Sequence, residues 1–126
     1  MKKPQKKLSP PKSPRSHANV LPACMAKSRA LNSLVEYAHD SIVSKTILDK
    51  PVGTITLFAF DIGQKLSEHT APYDAVVQVT EGAAAITIAG KTKKVSAGQI
   101  IIMPANVPHA VAAKQKFKML LIMIRA

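Results

Sequence analysis

The chain has 126 residues, 47% of them hydrophobic, with 18 Lys+Arg against 7 Asp+Glu and a formal net charge of +11. That length closes one hydrophobic core and excludes a multidomain enzyme. No apolar run approaches the roughly eighteen residues of a membrane-spanning helix, so no membrane partner is expected, and the single Cys24 excludes an internal disulfide and points to a reducing, cytoplasmic setting.

In chain order, the first segment carries most of the charge. Residues 1–30 hold eight bases and no acid, whereas residues 31–126 hold ten bases and all seven acids, a net +3. Five of the nine prolines also lie in 1–30, among Lys and Ser and with almost nothing apolar before Val20. Such a composition does not offset the entropy of ordering, so 1–30 is read as a disordered basic tail. Its lysines suit phosphate contacts, yet it lacks the aromatic residues that stack bases, which disfavours nucleic-acid binding. No apolar core follows the basic start, so a secretory signal and a lipoprotein box at Leu21-Pro22-Ala23-Cys24 both fail, and the tail is not the Arg-rich amphipathic stretch of an organelle presequence. His17 has no partner in view and Cys24 is read as a spare thiol. Met25 is an alternative translation start, because the signals of a fold begin only after it.

Leu31, Leu34 and Val35 have the spacing of a short amphipathic helix over 31–37, with Asn32 or Ser33 as its cap. Everything after reads as strand. Residues 41–48 and 54–60 are rich in β-branched and aromatic side chains and are separated by Pro51-Val52-Gly53. Further strands are predicted over 74–80, 84–88, 91–95, 99–103, 109–113 and 117–124, with turns at Glu81-Gly82, Ala89-Gly90 and Ala97-Gly98. This spacing indicates an all-β sandwich or barrel. Strands 99–103 and 117–124 are apolar on both faces apart from Lys118, whereas a lone barrel alternates. Something must cover their outer faces, and the expectation is a homodimer.

Two segments stand out: Gly63-Gln64-Lys65-Leu66-Ser67-Glu68-His69-Thr70-Ala71-Pro72-Tyr73-Asp74-Ala75 running to Glu81-Gly82, and Gly98 through Pro104-Ala105-Asn106-Val107-Pro108-His109. Together they resemble the two signature motifs of the cupin superfamily, G-x5-H-x-H-x3,4-E-x6-G and G-x5-P-x-G-x2-H-x3-N. Gly63, His69 and Gly82 keep the first spacing, and Gly98, Pro104 and His109 keep the second. Asn106 stands where the family has glycine, a substitution that suits the left-handed backbone region. The resemblance runs in looser form from about Leu31 to the C-terminus and is strongest to small single-domain bacterial cupins. It implies a double-stranded β-helix, or jelly-roll, barrel at 31–126 with a short N-terminal helix and the basic tail outside it.

The resemblance also implies a ligand set, from which this chain departs. Metal-binding members use three histidines and a glutamate, but Ala71 replaces the second His and Ala75 the Glu. Only His69 and His109 remain, and two imidazoles alone hold a divalent Zn, Fe, Mn or Ni weakly. By strand parity, Ala75, Val77 and Val79 line the interior, Asp74, Gln78 and Thr80 point outward, and Glu68 faces away from His69. His39 reaches a barrel mouth only by exchange between subunits. The candidate pocket is therefore His69, His109, Ala71, Ala75 and Val77. Three functions follow as expectations: binding of a small molecule in the barrel; metal-assisted oxygenase or isomerase chemistry, or metal-free general-base chemistry, at the two histidines; and nucleic-acid binding through the tail.

Overall fold

The computed structural model describes residues 20–125, and the readings made above for 1–19, His17 included, lie outside them. Eight antiparallel strands account for most of the described chain: β1 (Ile42–Lys50), β2 (Gly53–Phe60), β3 (Lys65–His69), β4 (Ala75–Ile88), β5 (Lys91–Ser96), β6 (Ile100–Met103), β7 (His109–Ala112) and β8 (Phe117–Ile124). They form one curled sheet in the order β1-β2-β8-β4-β7-β3, with β5 and β6 also paired to β4. No helix among the described residues is long and apolar enough to cross a membrane.

The curl depends on β4. Its first half lies between β8 and β6, through Val76↔Ile122 and Val76↔Ile102, and its second half lies between β5 and β7, through Ala85↔Lys94 and Ala85↔Ala112. One strand thus serves two sheet layers, where the sequence had suggested two strands broken at Glu81-Gly82. The change of direction is a register shift between Val79 and Glu81 followed by Gly82 at φ +72°. A Cβ at Gly82 would collide with the Lys116 carbonyl oxygen, so only glycine lets β4 bend against β8 there.

Between the layers lies the core. Phe60 and Phe117 are fully buried and stack with ring centroids 4.5 Å apart, and Val77, Val79, Ile86, Val111 and Met119 close around them. Ala75, Val77 and Val79 face this interior, while Asp74 and Gln78 are exposed and Thr80 is half-buried.

The N-terminal helix expected over 31–37 is a correction. Only a single 3-10 turn forms, at Leu31–Ser33, with no side-chain cap. The apolar spacing serves an irregular strap instead. Leu34, Val35 and Tyr37 pack on Leu57, Ala59 and Leu120, on the outer face of β2 and β8. Polar contacts pin the strap: Asn32 Nδ2 donates to the Thr80 carbonyl at 3.0 Å, buried Lys118 donates to the Asn32 carbonyl, and Tyr37 Oη donates to Glu81 Oε2 at 2.5 Å. Burial, reinforced by the Glu81 carboxylate that accepts its proton and repels its anion, pushes the Tyr37 phenol well above its ordinary value.

Of residues 20–30, read above as part of the disordered tail, the first two are held against β1 and the rest carries a hydrogen bond of its own. Val20 bridges Leu48, the Leu21 amide donates to the Ile47 carbonyl at 2.9 Å, and Arg29 Nε donates to the Ala23 carbonyl at 2.7 Å.

The strap covers only part of the outer sheet face. Beyond it runs a row of apolar residues across four strands, Ile55, Ile122, Val76 and Ile102, flanked by exposed Ile100 and Ile124.

Candidate functional site

The two motif histidines come from adjacent strands. β3 pairs with β7, Leu66 standing opposite Val111 and His69 opposite His109, so three steps on β3 match two on β7. The extra residue is a β-bulge at Ser67 and Glu68. Along a regular strand Leu66 and His69, three apart, would point to opposite faces. The bulge reverses that parity and brings His69 to the inner face beside His109. Their rings meet edge to face, with centroids 4.4 Å apart and planes at 70°. His69 is exposed at the mouth and His109 is buried.

The backbone fixes both rings in the same way. His69 Nδ1 lies 2.7 Å from the Ser67 carbonyl oxygen and His109 Nδ1 lies 3.1 Å from that of Val107. A carbonyl only accepts, so each neutral ring carries its hydrogen on Nδ1 and keeps a lone pair on Nε2. The loops around them are fastened to each other. The Asn106 amide donates to the Ala71 carbonyl at 2.7 Å, the Ala105 amide donates to Asp74 Oδ1 at 2.8 Å, and Asn106 takes the left-handed conformation at φ +63°. Asp74 is thereby engaged outside the barrel.

Behind the imidazoles is a cavity of about 240 Å3. His69, His109, Ala71 and Ala75 all line it, together with Leu66, Val111 and Leu121. Val77 does not; it is fully buried in the closed core beneath. Three methionines that the sequence reading missed, Met103, Met119 and Met123, complete the wall. Strand register places two of them: Ala75 stands directly opposite Met103 on β6 and Met123 on β8, so Met103, Ala75 and Met123 form one inward-facing row. The signal was present in the apolar strands 99–103 and 117–124, but only the pairing with β4 reveals it.

No carboxylate is among the residues that line the cavity. Divalent Zn, Fe, Mn or Ni, the metals the family resemblance brings to mind, prefer three or four protein ligands, with carboxylate common for the harder ions. Two neutral imidazoles in an apolar wall do not fit them, because a buried dication would be left without a counter-charge.

A second cluster sits at the other end of the β3 and β7 ladder, where the Gly63 amide donates to the Ala113 carbonyl. There His39, Asp40 and Asp61 bring ligand atoms within 4.8 Å of one another. His39 Nε2 and Asp40 Oδ2 are 3.1 Å apart and largely exposed. Buried Asp61 accepts the Asp40 amide at 2.8 Å and supports Asp40 in its φ +52° turn. The Asp40 amide does most to hold the Asp61 carboxyl below its usual range, aided by the Ile62 amide, Lys116 and His39, against the opposing effect of burial. The structure thus places His39 beside Asp61, away from the imidazole pair. Cys24 is half-buried on the segment before β1.

Comparison with known proteins agrees with the architecture. The family model described as a cupin domain matches residues 56–125. The chain is 36% identical to a conserved protein of unknown function from Streptococcus pyogenes, over 86% of this chain and 95% of that one, with a TM-score of 0.81. It is 41% identical to a cupin 2 conserved barrel domain protein from Leptotrichia buccalis, covering 74% of this chain and 45% of that one, with a TM-score of 0.71. A cupin superfamily protein from Desulfitobacterium hafniense is 27% identical over 86% of this chain and 96% of its own, with a TM-score of 0.77. No curated protein matches the chain.

Proposed function

This chain belongs to the cupin family, and from that premise we propose that its barrel binds a small, mostly apolar molecule bearing a hydroxyl or similar hydrogen-bond donor. The observation that carries this reading is the pair of imidazoles, each tied at Nδ1 to a backbone carbonyl, that lines an apolar cavity of about 240 Å3. Apolar walls with a few fixed polar groups are the ordinary makeup of a ligand pocket. The volume sets the size of the guest. A dry cavity of roughly 150 Å3 holds benzene, so this one suits a substituted single ring or a short branched chain. The polarity sets its chemistry, since both imidazoles accept at Nε2 and the guest must therefore donate.

Ala71 and Ala75 support the same reading. Each leaves space where the family's metal-binding members place a ligand. The metal-assisted oxygenase or isomerase alternative has less support, because its carboxylate is replaced by a methyl. Phenol, followed by calorimetry and by changes in the imidazole resonances, tests the reading. Ala75→Leu, which fills the cavity from its floor, is expected to abolish binding while the protein stays folded; undiminished binding in that variant would contradict the proposal.

We also propose that a second copy of the chain covers the outer row of Ile55, Ile122, Val76 and Ile102, with Ile100 at its margin. Isologous pairing would remove this row from water on both copies. Light scattering should give a dimer mass for the native chain and a monomer mass for Ile102→Lys. A monomeric native chain at micromolar concentration would defeat the idea. The single cysteine fits the cytoplasmic setting that we propose.

A further inference from the structure

The donors around the cavity are two imidazoles and three thioethers; none is a carboxylate, and three of the five are soft. His69 and His109 offer Nε2, and Met103 and Met123 flank Ala75 in register, each with its Cβ roughly 4.5–5.5 Å from the Ala75 Cβ as directly opposed residues have. The position that carries a hard, anionic oxygen ligand in metal-binding cupins is thus a methyl group between two thioethers. This exchange alters both the charge and the softness of what the site accepts. A dication would be buried without compensation, whereas a monocation needs far less. Thioether sulfur selects copper(I), and imidazole also suits copper. Copper(I) has a filled d shell and imposes no rigid geometry, and the three rotatable bonds of methionine let its sulfur adjust to the ion.

We propose that this cavity is a copper(I) site, in which Met103 and Met123 supply thioether sulfur and His69 and His109 supply Nε2. The inference rests on the reading of the cavity as an accessible site into which both Nε2 atoms are directed. It adds a ligand class that neither the histidines nor the family pattern provides. The hydrogen bonds from Nδ1 to the Ser67 and Val107 carbonyls supply the outer support that orients imidazole ligands toward a metal. Met119, fully buried one inward position deeper on β8 than Leu121, backs the site as part of the core.

The test is an anaerobic titration with copper(I) against a chromogenic chelator, on the full chain carrying Cys24→Ser so that a thiolate does not compete. Zinc(II), manganese(II) and nickel(II) are titrated in parallel. The expected result is one tight copper(I) per chain, with each of the three dications bound at least a hundredfold more weakly. Met103→Leu combined with Met123→Leu conserves volume and keeps the barrel folded, and it should weaken copper(I) at least tenfold. X-ray absorption of the loaded native chain should show sulfur beside nitrogen, and the double variant should lose the sulfur. Unchanged copper(I) affinity in the double variant, or zinc(II) bound as tightly as copper(I), would overturn the proposal. Phenol binding separates the two readings. If phenol binds and copper(I) does not, only the metal inference falls; if copper(I) binds through the methionines and phenol does not, only the small-molecule reading falls.

Discussion

The two ends of the barrel each gather histidine and other potential ligands, yet their polar atoms are engaged in opposite ways. At the Asp61 end the polar atoms are engaged with one another: the carboxylate accepts the Asp40 amide, and His39 meets Asp40 in the open. At the His69 and His109 end, backbone carbonyls take the Nδ1 hydrogens and leave both Nε2 lone pairs free beside an apolar cavity. The contrast teaches that closeness of ligand-type residues does not make a site. What matters is which lone pairs remain free after the backbone has been satisfied. The Asp61 cluster accordingly serves the turn it supports, and the imidazole pair is the site for which we propose a function.

Substitutions at the two ends should therefore separate stability from binding. The largest fall in stability is expected from Asp61→Ala, which leaves the Asp40 amide without its acceptor and the φ +52° turn without support. Urea unfolding should show a clearly lowered midpoint, while phenol binding at the opposite end is unaffected. The pH dependence has a definite sign. Because the folded-state pKa of Asp61 lies below its ordinary value of 3.8, its contribution is fully present above that value and is lost as pH falls through the folded-state pKa. The gap between native chain and variant should thus be constant near neutrality and narrow only in acid. A gap that widened in acid would contradict this assignment.

At the other end the expected order is reversed. His109→Ala removes a buried ring and its bond to the Val107 carbonyl, at a cost of about 2 kcal/mol. His69→Ala removes an exposed ring and should change stability by no more than about 0.5 kcal/mol. Both variants should nevertheless lose phenol binding to a similar extent. If only His109→Ala lost it, the exposed imidazole would be a bystander at the mouth and the paired-acceptor account would need revision.

Much of this architecture was legible in the sequence, and the parts that were not share a physical cause. Glycines and prolines at regular spacing marked the strands, and the positions of His69 and His109 stood out through Gly63 and Gly98. The strand at 65–69 was missed because Lys65, Ser67 and Glu68 are exposed on an edge of the sheet, where no apolar alternation is needed. β4 was divided in two because Glu81-Gly82 has the composition of a turn, although a bulge and one left-handed glycine bend the strand without ending it. Leu31, Leu34 and Val35 have helical spacing, but an irregular strap over Leu57 and Leu120 buries the same side chains without a helix. The methionine wall was hidden for a different reason. Met103, Ala75 and Met123 are far apart along the chain and become neighbours only through the registers of β6, β4 and β8. Local pattern reveals which face a residue takes, but not which residue stands opposite.

The central claim is that both imidazoles present an unprotonated Nε2 to the cavity. Nitrogen NMR of the histidine rings tests it most directly, at mildly alkaline pH with and without phenol. The account predicts that His69 and His109 each carry hydrogen on Nδ1, and that phenol shifts the Nε2 resonance of both rings. Hydrogen on Nε2 of either ring, or phenol that leaves both Nε2 resonances in place, would contradict it.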